Sequence, residues 1–197
     1  MRRRTFDALV VAVGLALAAV LLVAGGLLAW GHAFVSDQVR TQLVEQKIVF
    51  PPANSDSIKS LPKADAAAMK VYAGQMMTTG AQAQTYADHF IAVHLREIGG
   101  GLTYSQLSAK AMADPKNEAL AGQVATVFKG TTLRGMLLNA YGFWQMGQIM
   151  WIGAIVSFAG AALLLILSGA GAVHLRRVPE AAEVFPKVSH PAEVRTA

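Results

Sequence analysis

"FDALVVAVGLALAAVLLVAGGLLAW", residues 6–30, decides what kind of protein this is. After Asp7 no Asp, Glu, Lys or Arg occurs as far as Ala33. Residues 8–30 as a helix rise about 34 Å at roughly 1.5 Å per residue, enough to cross a hydrocarbon core of about 30 Å. Arg2, Arg3 and Arg4 precede the run and Trp30 closes it, where a membrane segment carries its basic and aromatic anchors. The competing assignment is a cleavable signal with Gly31–His32–Ala33 as its small-residue site. Signal cores run only about 7–15 residues, so the length favours a retained anchor.

A second run, "GQIMWIGAIVSFAGAALLLILSGAGAVHLRR" (residues 147–177), repeats the pattern, with no charged residue between Arg134 and Arg176. Trp144 and Trp151 flank its outer end, and Arg176 and Arg177 its inner end. Basic clusters outside both spans predict a hairpin in the cell membrane with both termini cytoplasmic. The fold class expected is an all-α membrane protein: a basic terminus (1–7), a span (8–30), an extracytoplasmic helical domain (31–147), a second span (148–173) and a tail (174–197). The tail, with three prolines and little apolar content, is expected to be disordered. Gly14 and Ala18 in the first span, and Gly153, Ser157 and Ala161 in the second, repeat at every fourth position. Small residues so spaced let helices approach closely, so the spans are expected to pack on each other or on a partner.

Composition narrows the function. The net charge is +5, but the region between His32 and Gly147 carries ten basic and eight acidic residues, spread evenly. No nucleic-acid surface follows from that distribution. With no cysteine, disulfides, thiolate metal sites and cysteine nucleophiles are excluded. Neither span carries an ionisable side chain at membrane depth, so no proton relay is expected there.

The central region reads as helices throughout. The first is expected to continue beyond the bilayer to Phe50 and stop at Pro51–Pro52. A second is expected over 64–77 and a third over 82–98, ended by Gly99–Gly101. Thr103 and Gln106 have capping-box spacing and predict a fourth. Asp114 and Pro115 predict the start of a fifth, pausing at "KGTT" (129–132) before the second span. No strand pattern and no internal repeat are seen.

The residues most like a site are in "YADHFIAVHLREIGGG" (86–101), with two histidines, an aspartate and a glutamate. At about 100° per residue His89 and His94 diverge by roughly 140°, so they cannot share a metal. Asp88, His89 and Arg96 fall on the polar side. His94 and Glu97 fall on the apolar side, where they would form either a satisfied structural pair or a half-site for acid–base or metal chemistry. Met76, Met77, Met146 and Met150 are the other soft groups, best read as packing. No G-x-S-x-G or S-x-x-K pattern is expected to set up a nucleophile.

Four stretches carry a resemblance: "TFDALVVAVGLALAAVLLVAGGLLAWG", "QKIVFPP", "YAGQMMTTGAQAQTYADHFIAVHL" and "TLRGMLLNAYGFWQMGQI". In order and spacing they resemble an uncharacterised family of small two-pass actinobacterial membrane proteins. The resemblance implies the same two-span topology. Its members often carry the label of an aromatic ring-opening dioxygenase. That chemistry needs iron held by histidines and a carboxylate. Only His32, His89 and His94 lie between the spans here, so the label is not carried over.

The function expected is non-enzymatic and without cofactor: an accessory or scaffolding subunit whose partners are the lipid bilayer and another membrane protein or a second copy. The alternative is a metal- or ligand-binding membrane enzyme or sensor using His94 and Glu97.

Overall fold

The computed structural model describes residues 3–177 and 179. Arg2 and most of the expected disordered tail lie outside the described residues. Among the described residues seven α-helices and one π turn follow in order: α1 (Arg3–Glu45), α2 (Asp56–Lys59), α3 (Lys63–Lys70), α4 (Gly80–Tyr86), the π turn (Ala87–Ile91), α5 (Ala92–Ile98), α6 (Tyr104–Ala113) and α7 (Glu118–Arg177). Among the described residues there is no strand, only one isolated bridge. Both α1 and α7 are long and apolar enough to cross a membrane. The chain divides into two compact units, Met1–Ala29 with Ile152–Ala197, and Trp30–Trp151.

In the first unit, α1 and α7 pack antiparallel along a seam of small residues. On α1 the buried and half-buried positions include Asp7, Val11, Gly14, Ala18, Leu21, Gly25 and Leu28. On α7 they include Ala154, Ser157, Ala161, Leu164, Ser168 and Gly171. Steps of three and four alternate in both lists, the 3.5-residue period of helices that coil left-handedly about each other. Gly14 faces Ser168, and a Cβ added at Gly171 would come within 2.8 Å of Val11. Glycine is needed at such points because the opposing side chain occupies the Cβ position. Gly14, Ala18, Ser157 and Ala161 therefore sit on the seam. Gly153 lies at its edge against Leu28, where an added Cβ would sit 3.1 Å away.

The second unit has its core where Val39 and Leu43 of α1 and Leu137 of α7 enclose Phe50, Ile58, Met69, Met77 and Ala87. Phe50 is 1% exposed. Its ring contacts Tyr72 at 5.4 Å and Tyr86 edge-on at 5.3 Å, geometries that aromatic quadrupoles favour.

Three helix boundaries differ from expectation. Helix α1 ends at Glu45, because Lys47 adopts a left-handed backbone (φ 51°) and the chain leaves the helix. Ile48–Phe50 then pairs with Gly74–Met77: Met77 N–H donates to Ile48 O (2.8 Å) and Phe50 N–H to Gln75 O (2.9 Å). That pairing claims the backbone on both sides, so the second expected helix also stops early, at Lys70. At the third boundary, Asp114 ends α6 instead of opening a helix. Its φ of −132° and ψ of 72° fit a residue pushed out of the helical region by the following proline. The cap of α7 falls to Asn117, whose Oδ1 accepts from Leu120 N–H (3.0 Å). From there α7 runs through residues 129–132 without a break. A mid-helix glycine costs only about 1 kcal/mol, too little to interrupt a packed helix.

Thr103 and Gln106 form the expected capping box, and Thr79 with Gln82 forms a second. At Gly99–Gly101 the chain stops as expected: Gly100 and Gly101 take φ of 56° and 80°, and Gly101 N–H reaches back to Arg96 O (2.8 Å).

Candidate functional site

The π turn Ala87–Ile91 lies inside the stretch that looked most like a site. A π turn adds one residue to a helical turn, and such insertions recur at functional positions because they re-aim side chains. Here the consequence is specific. Asp88 and His89, placed in water by an ideal helical wheel, each meet a partner from another element. His89 Nδ1–H donates to Asp65 Oδ1 on α3 at 2.7 Å. Arg134 of α7 donates through Nη2 to Asp88 Oδ1 at 2.6 Å and through Nε to Ala87 O at 3.3 Å. The Ala87 carbonyl also accepts from Ala92 N–H. Arg134 thus grips the π turn by a backbone oxygen and a carboxylate together.

His94 and Glu97 do not form the expected pair. His94 Nδ1–H donates to Phe90 O at 2.8 Å, and its ring packs on Phe90 with centroids 4.5 Å apart. Glu97 is exposed. Tyr86, Phe90 and His94 form an aromatic row on this helix, with Tyr86 and Phe90 at 4.9 Å. Burial pushes the Tyr86 hydroxyl above its ordinary pKa of 10.0, since the phenolate would lose its water. Among the described residues no three His, Asp or Glu side chains converge as a metal-binding group.

Beside the π turn an open cleft of about 590 Å³ is lined by Asp88, Arg96, Tyr104, Ser105, Thr131 and Arg134. It offers guanidinium and hydroxyl donors to a polar group but pairs no nucleophile with a base. Ser60 and Lys63 stand at serine–lysine nucleophile spacing, yet Ser60 Oγ donates to Ser57 O (3.4 Å) and Lys63 opens α3.

A larger cleft, about 690 Å³, lies between the outer part of α1 and α7. Val39, Leu43 and Leu137 form its buried floor, while Phe34, Met136 and Phe143 stand exposed on its walls. Val35, Val39 and Leu43 recur at helical spacing along α1. Their partner on α7 lies almost a hundred residues away, and nothing local signals it.

The expected interface residues separate. Trp30 is 67% exposed and Trp151 44%, while Arg3, Arg4, Arg176 and Arg177 are exposed. Trp144 instead packs against the outer core, where Gly80 leaves room for its Cβ. His32 Nδ1–H donates to Gly147 O (2.8 Å) and its ring lies 5.3 Å from Trp151. Met77 is fully buried, as a packing residue would be, and Met76 and Met146 are exposed. No known protein family, curated protein or solved structure matches the chain.

Proposed function

We propose that this chain is a two-pass protein of the cell membrane whose outer helical unit is an interaction module, serving as an accessory or scaffolding subunit of a larger membrane assembly. One observation carries the membrane part. The most apolar window of each long helix is only 11% buried within the protein. A core helix of a soluble protein hides its apolar face. Here Val20, Val23, Leu27, Val156 and Ile166 are all more than 60% exposed. Burying each such side chain is worth about 1.5–3 kcal/mol, so five of them alone favour lipid by roughly 10 kcal/mol. Exposed Arg3, Arg4, Arg176 and Arg177 end the two helices, and the hairpin they suggest puts both termini in the cytoplasm.

Support for the interaction role comes from the outer unit. Val71, Met112 and Phe128 are 65%, 74% and 53% exposed; joined into one patch such apolar surface is what a protein partner covers, whereas singly exposed apolar groups are ordinary. The absence of cysteine makes a direct test simple. Single cysteines at Met112 and Thr5 should react with a membrane-impermeant thiol reagent from opposite sides of intact cells, in a protein resisting alkaline extraction. A photo-crosslinker at Met112 should capture a defined membrane protein. Release of the chain by alkali refutes the membrane assignment, and a crosslinker that captures nothing refutes the subunit assignment.

A further inference from the structure

We infer that the cleft beside the π turn binds the carboxylate of a small organic acid, with Arg134 as its receptor and the π turn as the brace that holds Arg134. The cleft lies wholly within the unit Trp30–Trp151, so the inference does not depend on the membrane assignment. Its volume, about 590 Å³, falls within the roughly 300–1,000 Å³ of small-ligand sites. A guanidinium carries five N–H groups on a planar fork. On Arg134 the side-on edge is occupied inside the protein: Nε–H donates to Ala87 O (3.3 Å) and Nη2–H to Asp88 Oδ1 (2.6 Å). The end-on edge, between Nη1 and Nη2, is left over, and among the described residues no other group pairs with Arg134. A planar carboxylate matches such an edge with two parallel hydrogen bonds. Both groups that hold the side-on edge belong to the π turn. The guanidinium is therefore fixed before a ligand arrives, which lowers the ordering cost of binding.

The other donors come from three helices. Arg96 of α5, the hydroxyls of Tyr104 and Ser105 on α6, and that of Thr131 on α7 line the same cleft. Among the described residues none of these four polar groups has a side-chain hydrogen bond or ion pair. Asp88, Arg96 and Arg134 are the charged groups of the lining. Two guanidiniums against one carboxylate leave a single positive charge, which a monoanion balances. A phosphate monoester carries about −1.5 to −2 near neutral pH and would leave negative charge uncompensated beside Asp88. Leu95, Leu102 and Val127 supply the apolar part of the lining. A carboxylate on an apolar body suits both kinds of surface, whereas an inorganic anion suits only one.

The test is isothermal titration calorimetry on full-length protein in detergent, with benzoate and hexanoate as probes and benzamide as the uncharged counterpart of benzoate. Both acids should bind at millimolar concentration or below, and benzamide should not. Arg96→Gln changes an exposed residue and should weaken benzoate binding roughly tenfold, about the loss of one hydrogen bond to a charged group. Arg134→Lys keeps the charge but removes the fork, and should weaken binding by a similar factor. Lys129→Gln alters an exposed basic residue outside the lining and should leave binding unchanged. If Arg134→Lys fails to fold, the Arg96→Gln result decides alone. Failure of both acids to bind overturns the inference. So does binding that survives the arginine substitutions, that Lys129→Gln weakens equally, or that benzamide matches. Phenyl phosphate binding more tightly than benzoate overturns the choice of a carboxylate.

Discussion

The Asp88–Arg134 pair can be tested quantitatively, because it joins the π turn to α7 across 46 residues. At an effective dielectric constant near 20, two charges about 4 Å apart attract by roughly 4 kcal/mol. Side-chain exposures of 37% and 33% let water screen most of that, leaving a coupling of about 1 kcal/mol, the upper end for exposed pairs. Arg134 also donates to Ala87 O at 3.3 Å, worth a further 0.5–1.5 kcal/mol or so. Arg134→Gln should therefore cost about 1.5–2.5 kcal/mol, Asp88→Asn about 1, and the double variant about 1 less than their sum. Amide hydrogen exchange at Ala92 is the assay, since its N–H bonds Ala87 O inside the π turn. A coupling of about 1 kcal/mol appears as a roughly fivefold change in the opening equilibrium, and it should shrink as salt rises. Strict additivity of the two substitutions, or an Ala92 amide indifferent to both, would show that the ion pair does not hold the π turn.

Three further outcomes are expected. Asn117→Ala should destabilise the start of α7 by about 1 kcal/mol, read from exchange at Leu120 N–H, while Asp114→Ala should change that amide far less; the reverse order would restore Asp114 as the cap. Ala161 is fully buried on the seam of the first unit, so Ala161→Leu should cost about 1–3 kcal/mol by overpacking, whereas Leu165→Ala on the exposed side should leave thermal stability in detergent nearly unchanged. The Tyr86 hydroxyl has its pKa raised by burial, so the folded state keeps its proton where the unfolded state loses it. Its contribution is fully present below pH 10, the unfolded value, and declines as pH rises toward the higher folded value. Denaturant titrations at rising pH should show that decline in the wild type and less of it in Tyr86→Phe.

Elements ruled by their nearest neighbours were legible in the sequence. Two charge-free runs predicted two long apolar helices. Thr103 with Gln106 marked a helix start, and the glycines at 99–101 marked a stop, because caps and left-handed turns depend on residues within one turn. The heptad seam was half legible. The small residues stood out, but a fourfold spacing was read where the packed surface alternates threes and fours.

His94 and Glu97 do not pair, for a physical reason. A helical wheel assumes a constant rotation per residue, and the extra residue of the π turn breaks that constancy between Asp88 and His94. Glu97 consequently lies in water, His94 bonds its own helix, and Asp88 and His89 find partners on α7 and α3. Trp144 illustrates the same limit. Its place beside an apolar run made it look like a membrane anchor, until the fold brought Gly80 beneath it.

Composition and local rules therefore specified the two long apolar helices and the ends at Thr103 and Gly99–Gly101, since hydrophobic length and capping are local properties of the chain. The ends of α1 and α3 were instead set by pairing with distant backbone. Arg134 gripping the π turn, Ile48–Phe50 pairing with Gly74–Met77, and the apolar cleft joining Val39 and Leu43 to Leu137 all required the completed packing. Each joins groups far apart in sequence, and no local energy favours one distant partner over another until the chain has closed.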